Sequence, residues 1–114
     1  VKGLKILQFM ASERFGGAEK VFVDLSFQLS NTHSVTALVL RKTEYLEKFS
    51  KSVKIVELKS HPTRHNPFLL YEIYKKILKI KPDIVHTHGS KAAELVSRAA
   101  FFTRINHLAT KHNA

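Results

Sequence analysis

The chain has 114 residues, 44% hydrophobic and 25% charged, a balance that excludes a disordered segment and leaves room for one domain with a single core. It contains no cysteine, which excludes disulfide frameworks and thiolate metal sites. Nineteen Lys and Arg against nine Asp and Glu give a net charge of +10, which favours phosphate-bearing partners such as nucleotides, nucleic acid or anionic lipid.

The first apolar run, Leu4–Met10, is too short to span a bilayer and has no small-residue cleavage site after it, so a cytoplasmic protein is expected. Within that run Lys5–Met10 is nearly continuous and ends at Glu13-Arg14-Phe15-Gly16-Gly17, as suits a strand buried on both faces of a parallel sheet. From Ala18 to Ser30 the period becomes helical, with Ala18, Val21, Phe22, Leu25 and Leu29 on one face and Val23 and Phe27 on the other. Val35–Leu40 predicts a second strand, Tyr45–Ser50 a short helix and Val53–Leu58 a third strand.

The stretch from His61 to Pro67 reads as a loop that places Asn66-Pro67 at the start of a helix over Phe68–Ile80. That helix carries a wide apolar arc, with Lys75, Lys76 and Lys79 opposite it, so contact with a second surface is one reading and a well-buried helix with a solvated lysine face is the other. Eleven Lys and Arg against four Glu fall between Arg41 and Lys81, so the positive charge is concentrated there. Lys81-Pro82-Asp83 ends the helix, Ile84–Thr87 predicts a fourth strand, Lys91–Phe102 a helix and Ile105–Thr110 a fifth strand. Strand and helix alternate throughout, which predicts an α/β fold with a parallel sheet in the order 3-2-1-4-5.

In such a sheet ligands bind beyond the carboxyl ends of the strands, where strand order reverses. Three segments fall there: Ser12 to Glu19, His86 to Lys91, and Lys111-His112-Asn113. Gly16 and Gly17 precede a helix start, where bare backbone lets phosphate or sugar oxygens approach; a plain strand-to-helix turn explains the pair equally well. His86 and His88 share one face of a strand at metal-ligand spacing, but no acidic partner lies near. No metal is therefore expected; His86 is predicted to be buried and hydrogen-bonded, and His88 to face solvent in the cleft.

Taken in order, Gly16-Gly17-Ala18-Glu19, Lys81-Pro82-Asp83-Ile84-Val85-His86-Thr87-His88 and Ala109-Thr110-Lys111-His112 resemble family 4 glycosyltransferases over nearly the whole chain. The resemblance implies a GT-B enzyme of two Rossmann-like domains, retaining stereochemistry, no required metal or other cofactor, and a nucleotide-diphospho-sugar donor bound mainly by the C-terminal domain. It implies that residues 1–114 are one N-terminal, acceptor-side domain, a fragment whose C-terminal partner domain is absent. By that analogy Gly16, Gly17, Glu19, His88, Ser90 and Lys91 contact substrates, and His112 matches the family's active-site histidine. The acceptor is expected to be an envelope glycan or a lipid-linked molecule. Lys75, Lys76 and Lys79 are expected to touch anionic membrane at the inner face of the cytoplasmic membrane. Nucleic acid is not an expected partner: a basic, non-catalytic binding module is the alternative, but the aromatics lie mostly in predicted helices and no nucleic-acid motif is present.

Overall fold

Lys5–Met10 forms the central strand β1, and its neighbours come from opposite directions in the chain. The computed structural model describes residues 3–101 and 103–110. The helix Gly17–Leu29 (α1) leads from β1 to β2 (Ser34–Val39), and a connection containing a 3₁₀ turn at Leu46–Lys48 leads on to β3 (Lys54–Glu57). The helix Pro67–Ile80 (α2) then crosses to β4 (Ile84–His88), and Ser90–Ala99 (α3) leads to β5 (His107–Thr110). Every pairing is parallel and the order is β3-β2-β1-β4-β5, a Rossmann-like α/β sheet of the predicted order.

Alternation along β1 builds three layers. Leu7 and Phe9 join Leu38, Val85 and the buried faces of α2 and α3 in one core cluster, whereas Ile6 and Met10 join Val35, Ala37, Val39 and α1 in a second. A strand buried on both faces can be apolar at successive positions, which is why its pattern lacks clean alternation.

Helix α1 buries Phe22, Val23 and Ser26 and leaves Val21 and Phe27 each 48% exposed, so Val21 and Val23 exchange the roles expected from periodicity. The centre of the buried stripe runs through Ser26, whose hydroxyl donates to the Phe22 carbonyl at 2.8 Å and so enters the core already satisfied.

Asn66 caps α2, its Oδ1 accepting from the Phe68 amide at 3.0 Å, and Pro67 occupies the first turn, where a missing N–H costs nothing. The helix ends at Lys81, a residue with φ of 52°. Its wide apolar arc is divided: Leu69, Ile73 and Ile77 are buried, while Phe68, Tyr71 and Leu78 remain exposed beside Lys75 and Lys79.

Glu72 ties α2 to the end of β3, accepting from the Lys59 amide through both oxygens and from the Ser60 amide at 2.9 Å. Burial pushes its carboxyl pKa up, but these amides and the charge of Lys76 outweigh that and hold it below the ordinary value. Because the folded pKa is depressed, the stabilisation is present above the unfolded pKa and is lost as pH falls through the folded value. Glu72→Ala is expected to destabilise the fold by about 1–3 kcal/mol at neutral pH. Melting of the wild type and variant at neutral and acid pH checks this, and a difference that persists undiminished in acid would refute it.

Candidate functional site

Strand order changes direction at β1, which pairs with β2 on one side and β4 on the other. Met10 lies opposite His88, and His88 opposite Thr110, so the ends of β1, β4 and β5 adjoin at one edge of the sheet. Gly16, Gly17 and Glu19 follow β1, and Ser90 and Lys91 follow β4, so this edge collects the predicted substrate-contacting residues, whereas Lys75, Lys76 and Lys79 lie on α2, the last two near the opposite edge. His112 lies outside the described residues.

The loop between β1 and α1 is held from two sides. The Ser12 hydroxyl hydrogen-bonds the Glu19 carboxylate, and the buried Tyr45 hydroxyl donates to the Ser12 carbonyl at 2.8 Å. Burial pushes the Tyr45 ionisation far above its ordinary value; the Ser12 contact opposes this and the nearby Glu19 charge adds to it, so Tyr45 stays a protonated donor. Farther along, the Phe15 amide donates to Glu44, the Glu44 amide donates to the Glu13 carbonyl, and the Lys48 ammonium sits 4.6 Å from the Phe15 ring centroid.

Glu19 is therefore engaged in bracing this loop. A Cβ on Gly16 would come within 3.2 Å of Glu19 Oε1, while one on Gly17 would meet nothing within 4 Å. The first intrahelical bond of α1 runs from the Lys20 amide to the Gly16 carbonyl, and no side chain caps the helix start. Amides of the first turn thus lie at an exposed glycine pair, with the positive end of the helix dipole behind them.

Helix α3 opens on the same edge. Gly89 precedes it with φ of 89°, a conformation that strains residues bearing a Cβ, and its amide donates to the Thr110 carbonyl at 2.8 Å. Ser90 is exposed, and again no side chain caps the helix. Lys91 points elsewhere: its ammonium donates to the Pro62 carbonyl at 2.8 Å and ties α3 to the loop before α2, where Arg64 also bridges to Glu94.

His88 departs from expectation. It is 2% exposed and His86 is 9% exposed, so both are buried and His88 does not face solvent. Strand parity places both rings on the α1 side, where Phe22 meets the His88 ring at 5.1 Å between centroids. His88 Nε2 lies 2.5 Å from Gln8 Oε1, and His86 Nε2 lies 2.7 Å from Thr110 Oγ1. The Gln8 oxygen accepts, so Nε2 of His88 carries the proton. Gln8 Nε2 is buried and unpaired among the described residues. His107, bonded to Thr87 at 2.8 Å, has its pKa lowered by burial.

The sequence reading placed Ser12 in a candidate segment but missed Gln8 and Tyr45 as groups that hold this edge. Gln8 did carry a signal, as the one uncharged polar residue inside the first apolar run, but its partner lies 80 positions away. Among the described residues no three His, Asp or Glu gather as a metal-binding group.

A solved glycosyltransferase from Rickettsia africae ESF-5 matches with a TM-score of 0.70 and 25% sequence identity over 96% of this chain and 30% of that one. The chain thus spans less than a third of that protein's length. No curated protein matches it significantly. The model of the family described as Glycosyltransferase Family 4 matches residues 15–114, covering the glycine loop, the β4 histidines and the end of β5, and the chain belongs to that family.

Proposed function

We propose that this chain forms the acceptor side of the cleft in a retaining glycosyltransferase that moves a sugar from a nucleotide-diphospho-sugar to an envelope glycan or lipid-linked acceptor, without a metal. The observation that carries this reading is the pairing of two uncapped helix starts, at Gly17 and Ser90, where strand order diverges within a fold of this family. Helix starts of this kind favour phosphate and sugar oxygens through backbone amides. Gly16 and Gly17 would face the donor diphosphate, Ser90 a sugar hydroxyl, and His112 the reacting centre. Glu19, Lys91 and His88 would act from behind, the first two by holding loops and His88 by filling the core beneath the edge.

The donor's nucleotide would be gripped by a second domain, the whole enzyme working in the cytoplasm at the membrane's inner face. Among the described residues no helix is long and apolar enough to cross a membrane. Attachment would be electrostatic, through Lys75, Lys76 and Lys79, with exposed Phe68, Tyr71 and Leu78 beside them.

Calorimetry with UDP-, GDP- and ADP-sugars separates the two halves of this proposal. The 114-residue chain is expected to bind them weakly and to transfer no sugar, and a longer polypeptide that includes the proposed second domain is expected to bind them tightly and to transfer the sugar. Turnover by the 114-residue chain would overturn the division of labour.

A further inference from the structure

Across the sheet from the candidate site, at the edge where β1, β2 and β3 begin, a cavity of about 360 Å³ is bordered by Lys5, Lys54, Lys76 and Lys79 together with Ser34 and Thr36. The register explains the convergence. Lys5 pairs with Ser34 and Thr36 with Lys54, and all four share the face of β1 that bears Leu7, the face covered by α2. The last turns of α2 lay Lys76 and Lys79 over them.

Four ammonium groups at one cavity meet few carboxylates. Among the described residues none of the four forms an ion pair. Asp83 reaches this edge, but its Oδ2 accepts from the Lys5 backbone amide at 2.7 Å. Glu72, one turn before Lys76, accepts from the Lys59 and Ser60 amides and feels the charge of Lys76 without forming an ion pair with it, so two carboxylates, Glu72 and Asp83, stand near four ammonium groups. Cations near the end of α2 do complement its dipole, but that dipole amounts to roughly half a charge, far less than four lysines carry.

Like charges gathered around one concavity repel, and an anion removes that cost on binding. Hydroxyls at Ser34 and Thr36 add donors of the kind a phosphoryl oxygen accepts, and the volume lies within the usual range for small-ligand sites. We propose that this cavity binds a phosphoryl group carrying more than one negative charge, supplied by a free phosphate or by a phosphomonoester lipid headgroup. The site is separate from the sugar-transfer edge, and its occupancy does not depend on that reaction.

Two probes distinguish the sources: pyrophosphate in solution, and vesicles of phosphatidylcholine with or without phosphatidic acid. The double variant Lys54→Gln/Lys79→Gln is compared with Lys42→Gln/Lys59→Gln, which removes equal charge from the opposite ends of the strands. Lys5→Gln/Lys76→Gln enters the same cavity from a second strand and an earlier turn of α2, and guards against a fold defect in the first pair. The cavity variants are expected to weaken binding on the order of tenfold or more, and the control pair less than about threefold. That pattern with pyrophosphate assigns a free phosphate; the same pattern only with phosphatidic acid assigns the lipid headgroup. Pyrophosphate binding without vesicle binding keeps the cavity and removes the membrane contact proposed for α2. Equal losses in cavity and control variants, or binding of neither probe, would overturn the assignment in favour of diffuse charge.

Discussion

On the proposed function, His112→Ala is expected to lower kcat for sugar transfer by about 10²–10³ in a polypeptide that includes the proposed donor-binding domain, with KM for the donor little changed. The expectation rests on the position of His112 two residues beyond β5, in the segment where the family match continues to residue 114. In the proposed role an imidazole would contribute chiefly when charge develops at the reacting sugar, so its loss should appear in kcat before KM. His112→Gln, which keeps a hydrogen-bonding side chain but not a titratable one, is expected to recover part of the activity and to flatten the pH profile. A loss below about tenfold in the alanine variant would remove His112 from the reaction.

The second large effect concerns stability. His88→Ala removes a ring that is 2% exposed and packed against Phe22, and it orphans Gln8 Oε1 beside an amide nitrogen that already has no partner among the described residues. Lost packing and the new unpaired acceptor together are expected to cost about 3–5 kcal/mol, which for a domain of this size lowers Tm by more than about 10 °C. Replacing both partners, as in His88→Phe with Gln8→Leu, is expected to recover part of the loss, because it refills the space of the ring and removes the Gln8 acceptor together with its donor. Thermal melts of the three variants check this. A drop in Tm of less than about 3 °C for His88→Ala would show that the ring is not a core element and would restore the expectation of a solvent-facing residue.

Different physical properties made different parts of this protein legible. The strands and helices were readable because hydrophobic periodicity is local: Lys5–Met10 is bounded alike in sequence and structure, and α2 differs from its predicted span only by Pro67 at its start. The 3-2-1-4-5 order followed from alternation and right-handed crossovers, and it placed the glycine loop and the β4 histidines at one edge. The family was legible from ordered short motifs.

What each side chain does at that edge was decided only by tertiary structure. Periodicity gives a face but not what covers it, so His88 was expected in solvent until α1 brought Phe22 onto it, and Val21 was expected in the core until Ser26 satisfied its own hydroxyl and took the central position. Glu19 and Lys91 were expected to contact substrates; that the fold engages Glu19 with Ser12 and Lys91 with the Pro62 carbonyl is a matter of packing that local pattern does not show. The four-lysine cavity has the same origin. Lys5, Lys54, Lys76 and Lys79 form no motif in the chain, and strand register together with the crossing of α2 brings them together. Local pattern thus determined the elements and their order, whereas contacts between residues distant in sequence determined which polar groups the fold engages.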